Sequence, residues 1–102
     1  MEELEALRQE YAKELPGRLS EIFKTWHSYQ ESEDSKQLEK FQHLVHKLAG
    51  SGAVYGFTLL SDASHDLDTL LLNFIRSGTS VNGEGQKRIG ALLNQMRQSL
   101  EK

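Results

Sequence analysis

Apolar residues recur at every third or fourth position along this chain, and nowhere do they settle into the two-residue alternation of a half-buried strand. That spacing restricts the chain to helices, each with one apolar stripe to bury. The breaks between stripes are few: Pro16-Gly17, the SEDS run at 32–35, AVYGF at 53–57 and the looser SGTSVNGEG at 77–85. They divide the sequence into five helical segments. The first, about 2–14, presents Leu4, Leu7 and Tyr11, and the second, about 16–31, presents Leu19, Ile22, Phe23, Trp26 and Tyr29. Pro16 suits a first helical turn, where its missing N–H has no partner to lose. Two readings stand for these segments: separate helices, or one helix kinked at the proline.

The third segment, about 34–53, aligns Leu38, Phe41, Leu44, Val45, Leu48 and Gly52, with Asp34 or Ser35 available as N-cap. The fourth, about 57–77, aligns Leu60, Ala63, Leu67, Leu70, Leu71 and Phe74; the fifth, about 82–101, aligns Ile89, Leu92, Leu93, Met96 and Leu100. Short connections between long helices favour antiparallel neighbours. The expected fold is therefore all-α: an antiparallel up-down four-helix bundle, with the leading segment as a capping or extending helix. Leu4, Leu7 and Tyr11 either cover that bundle or meet a second chain.

A length of 102 residues suits a single domain, 1–102, with one modest core. The net charge of −3 and the lack of a basic tract argue against nucleic acid or an anionic membrane as partner. Cysteine is absent, which removes disulfides and thiolate metal sites and fits a reducing compartment. The start, MEELEALRQEYAKEL, is too charged for a signal peptide or anchor, and the longest apolar run is Leu70-Leu71-Leu72. A cytoplasmic protein is expected.

The chemistry concentrates in LVHKLAGSGAVYGF at 44–57, where three glycines follow a histidine. A glycine costs a helix interior about 1 kcal/mol against alanine, so each needs a reason. On a helical wheel His46 falls about 150° from the centre of the third segment's apolar stripe, which places it outside. Glu39, Gln42, His43, Gly50 and Ala53 share its side, with Gln42 one turn before it and Gly50 one turn after. Gly50 then clears the approach to the imidazole. Gly52 lies on the inward face and lets a neighbouring helix come close, and Gly56 fits a tight turn with positive φ. An exposed imidazole with nothing bulky beside it suits a nucleophile reached by a partner, since the neutral ring attacks without a dedicated base.

HKLAGSGAVYGF at 46–57, followed by LSDASHDLD at 60–68, resembles the histidine-containing phosphotransfer (HPt) domain of bacterial two-component phosphorelays. His46, Leu48, Gly50, Ser51, Gly56, Leu60, Ala63 and Leu67 match the family pattern in register, over about a quarter of the chain. The resemblance implies a four-helix bundle in which His46 takes a phosphoryl group from a receiver-domain aspartate or a kinase and passes it to another response regulator. It implies a carrier rather than an enzyme, with no cofactor bound by this chain and Mg²⁺ on the partner receiver. An upstream hybrid histidine kinase and a response-regulator receiver are the implied partners, and a monomer is expected.

Two positions depart from the pattern. Many family members have lysine where this chain has Ala49, and Lys47, the only nearby cation, sits about 100° round the helix from His46. Asp68 stands where glutamate or glutamine is common. It either bonds the imidazole N–H turned away from the phosphate or is solvated. The expected docking patch around His46 comprises Gln42, His43, Lys47, Gly50, Ser51, Ser64, Asp68 and Leu72, with Leu72 either on that surface or in the core. His65 is read as solvated, His27 as a local contact, and Phe57 as a core anchor of the turn. Two alternatives in other classes are a helical interaction module that is never phosphorylated and a metal-binding bundle using His43, His46 and His65. The second lacks the repeated Glu-x-x-His pair of di-metal bundles, and no metal is expected.

Overall fold

The connections show most directly why the chain breaks where it does. A computed structural model describes residues 2–101, and these form four helices: α1 (Glu2–Ser32), α2 (Ser35–Val54), α3 (Thr58–Ser77) and α4 (Gly83–Gln98). There is no strand among the described residues. After α1, Glu33 takes a left-handed conformation (φ 53°) and its N–H reaches back to the Tyr29 carbonyl at 2.7 Å. Asp34 then caps α2, its carboxylate accepting the Lys36 N–H at 2.9 Å. Gly56, at φ 82°, reverses the chain between α2 and α3. Gly78, also left-handed, ends α3, and Asn82 caps α4 by accepting the Gly85 N–H at 2.7 Å.

Contacts between elements run in opposite directions, as an up-down bundle requires. Gln42 and His46 of α2 face Asp68, while Ala49 faces Ser61. Tyr11 meets Ser51 and Trp26 meets Phe41, and Gln30 faces Gln86. The core is one cluster fed by all four helices, with Phe41, Val45, Leu67, Leu71, Ile89 and Met96 wholly enclosed. Phe41 stacks on Trp26 with ring centroids 5.3 Å apart.

The two leading segments are one helix, with Pro16 inside it. A proline in a helix interior costs about 3 kcal/mol. The stripe of Tyr11, Leu15, Leu19, Ile22, Trp26 and Tyr29 runs unbroken past it, and every member is buried. Each such apolar side chain contributes about 1.5–3 kcal/mol, so continuity of the stripe outweighs the lost hydrogen bond. The leading segment thus extends α1 rather than capping the bundle. Tyr11 covers the bundle, stacked on Tyr55 at 4.5 Å. Leu4 and Leu7 remain 60% and 54% exposed.

The loop between α3 and α4 is tied down despite its loose composition. Val81 is buried, and its N–H donates to the Tyr29 hydroxyl at 3.0 Å. Gly52 faces α3 as expected, although a Cβ there would meet Ser61 at 3.5 Å, an ordinary contact. The tight position is Gly85, where a Cβ would lie 2.6 Å from the Phe74 ring. No described helix is long and apolar enough to cross a membrane.

Candidate functional site

His46 sits near the middle of α2, with its side chain 70% exposed. One ring edge is nonetheless engaged: Nδ1 lies 2.8 Å from Oδ2 of Asp68, across the interface on α3. The Asp68 side chain is only 7% exposed. Its other oxygen, Oδ1, accepts a hydrogen bond from the Gln42 side-chain nitrogen at 2.7 Å. A carboxylate can only accept, so Nδ1 carries the hydrogen and donates it. In the neutral ring the free lone pair is then on Nε2, the nitrogen turned away from the pair. The site therefore holds one imidazole in one tautomer, with its nucleophilic nitrogen facing out.

Two helices build this arrangement. Gln42 and His46 are one turn apart on α2, so both reach the same point across the interface. Asp68 continues the buried line of Leu60, Ser64 and Leu71 on α3 and meets them there. A buried carboxylate is tolerated because both of its oxygens are bonded. Beside His46 runs an open depression between α2 and α3. Ala49, Gly50 and Ala53 form one wall, and Asp62, His65 and Asp66 form the other. A Cβ on Gly50 would meet nothing within 4 Å, so the space beside the imidazole is open.

The structure places the expected patch residues unevenly. His43, Lys47 and Gly50 are exposed on α2 with His46. Lys47 is outside the lining of the depression. Asp68 bonds the imidazole and is not solvated. Leu72 is half-buried and is not among the side chains packed on the core. Three placements are corrected. Gln42 is buried and turned toward α3, because Asp68 draws its amide inward. Ser64 is wholly buried, its hydroxyl donating to the Leu60 carbonyl at 2.7 Å. Ser51 faces α1, with its hydroxyl 2.6 Å from that of Tyr11, since five residues carry it about 140° round the helix from His46.

The acidic wall of Asp62 and Asp66 escaped the sequence reading. Their one-turn spacing on the outer face of the fourth segment, with His65 between them, was the available signal. His65 is exposed, but it lines this depression. His27 contacts Gln30 at 3.1 Å, and Phe57 is half-buried beneath the Arg8 guanidinium, 4.9 Å from its ring centroid. Among the described residues no three histidine, aspartate or glutamate side chains converge as a metal-ligand set, so His43, His46 and His65 do not form one.

A family model described as Hpt domain matches residues 1–101. No curated protein and no solved structure matches the chain.

Proposed function

The chain belongs to the Hpt domain family, and from that premise we propose that His46 accepts a phosphoryl group from one protein and hands it to another. Members of this family act as phosphotransfer carriers. The observation that supports His46 as the acceptor is its pairing with Asp68 at 2.8 Å, which leaves Nε2 as the outward nucleophile.

The chemistry balances without a proton leaving or joining the ring. The Nε2 lone pair attacks phosphorus of a receiver's aspartyl phosphate. The P–O bond to that aspartate breaks, and its electron pair stays on the departing carboxylate. The imidazole gains an Nε2–P bond and a positive charge while Nδ1 keeps its hydrogen, and Asp68 faces that charge across the Nδ1–H bond. Handing the group on reverses these steps toward a second aspartate. The magnesium ion such a transfer uses is expected on the receiver, so this chain supplies position and charge rather than an acid, a base or a metal. A receiver domain and an upstream hybrid histidine kinase are the partners this reading requires, and a cytoplasmic site of action follows from them.

Docking across the depression brings the partner over Gly50. Replacing Gly50 with leucine fills that approach while restoring a better helix former, so the fold holds or gains up to about 1 kcal/mol. Transfer into His46 should fall at least about tenfold, the consequence of losing about 1.4 kcal/mol of productive docking. Stopped-time transfer assays beside a thermal melt check this, and wild-type rates would count against the approach.

The function itself is tested by incubating the chain with receiver domains charged by a small phosphodonor and Mg²⁺. Several receivers are needed, because partner choice lies in surface detail. Acid-labile, base-stable label on the chain supports the relay. A chain left bare by a broad panel would instead indicate a helical module that binds without being phosphorylated.

A further inference from the structure

We infer that Gln42 is a positioning residue for His46, acting through Asp68, an inference whose functional half rests on His46 being the acceptor. Asp68 is buried, and a buried carboxylate oxygen without a donor is costly. The imidazole serves Oδ2, and the Gln42 amide serves Oδ1 at 2.7 Å. The neighbouring candidate, Ser64, spends its hydroxyl on the Leu60 carbonyl. Without Gln42, Oδ1 has no donor among the described residues and the carboxylate is free to turn about its Cβ–Cγ bond, a broad and weakly restrained torsion.

Gln42 therefore does two things at once. It fills the second oxygen, and it sets the plane of the carboxylate so that Oδ2 stays aimed at Nδ1. The amide orientation follows from the same contact, because only the NH₂ end can face a carboxylate. α2 thus grips one carboxylate with two donors a turn apart, and the tautomer of the exposed histidine is held by a glutamine that acts on it through Asp68. The sequence places Gln42 on the histidine's face, where it looks like a docking residue. Its burial and its bond to Asp68 assign it a different role.

The test reads the imidazole itself, in the complete chain with no partner present. Long-range ¹⁵N–¹H spectra of His46 report which ring nitrogen bears hydrogen. The wild type should show Nδ1 protonated and Nε2 bare. Gln42→Met keeps similar bulk without the donor, and should raise the Nε2–H form several-fold while the melting temperature falls by about 4 °C or more, the cost of leaving Oδ1 without its donor. Transfer from a charged receiver should slow on the order of tenfold, the scale of one hydrogen bond to a charged group. A folded Gln42→Met chain with the wild-type tautomer ratio would overturn the inference and leave Gln42 as mere filling.

If that variant does not fold, the Gln42 side-chain amide signals decide instead. They should shift between the wild type and Asp68→Ala, and unmoved signals refute the link. The tautomer readout needs neither phosphate nor receiver. A chain that responds to Gln42→Met but is never phosphorylated would sink the relay reading alone. A phosphorylated chain with an unmoved tautomer would sink this one alone.

Discussion

Replacing His46 with glutamine should reduce the acid-labile label to background, a loss of at least about a thousandfold in transfer, while the chain stays folded. Glutamine keeps much of the length and can still offer an N–H toward Asp68, but it has no ring nitrogen with a lone pair to attack phosphorus. Because His46 is 70% exposed and glutamine can still donate to Asp68, the substitution should cost no more than about 1.5 kcal/mol of stability. Three other histidines, His27, His43 and His65, stay in the variant as internal controls. Label persisting on His46→Gln would transfer the acceptor role to one of them, and His65, which lines the same depression, would be examined first.

The largest effect on the fold is expected from Phe41→Ala. Phe41 is fully buried, stacks on Trp26 at 5.3 Å, and lies on α2 about one and a half turns before His46. Truncating an enclosed phenylalanine costs about 3–5 kcal/mol, from lost transfer energy and the cavity left behind. Domains of this size hold about 5–15 kcal/mol in total, so much of the stability goes with one ring. The melting temperature should drop by at least about 12 °C. A thermal melt followed by circular dichroism measures it. A loss under about 1 kcal/mol would mean that the surrounding side chains collapse into the space and that the enclosure of Phe41 contributes little.

The elements that could be read from the sequence were those decided by local chemistry. Helical spacing, the cap of α2 and the Gly56 turn depend on a few neighbouring residues; the structure has the turn where the sequence places it and takes Asp34 of the two cap candidates, Asp34 and Ser35. The site residues that moved were those whose environment lies on another helix. A wheel gives a side chain's direction relative to its own stripe, but not where the facing helix sits. Gln42 and Ser64 lie near the edge of their stripes, and the packing of α2 on α3 turned both inward. Ser51 was read by its place in a motif, although its angle round the helix already directed it away from His46. Pro16 left two readings open for the opposite reason. Its local cost is real, and only the length of the stripe on either side shows that the cost is met. Val81 was legible in principle, as the single large apolar residue in an otherwise polar loop.

α1 is longer than the bundle it belongs to. At 31 residues it accounts for the 47 Å long axis of the molecule, while α2 and α3 have 20 residues each. Residues 3–10 are all exposed, and the Arg8 guanidinium, bonded to the Tyr55 carbonyl at 3.0 Å, is what ties them to the α2–α3 turn. A helix end that buries so little opens at a small fraction of the free energy needed to open the core. Its glutamates near the positive end of the helix dipole favour the coil-to-helix balance, but an isolated stretch this short is marginal in water. The cooperative unit of the protein therefore begins near Tyr11. The turns before it should fray and re-form ahead of the rest, with a helical content that follows temperature and ionic strength while the geometry around His46 stays fixed.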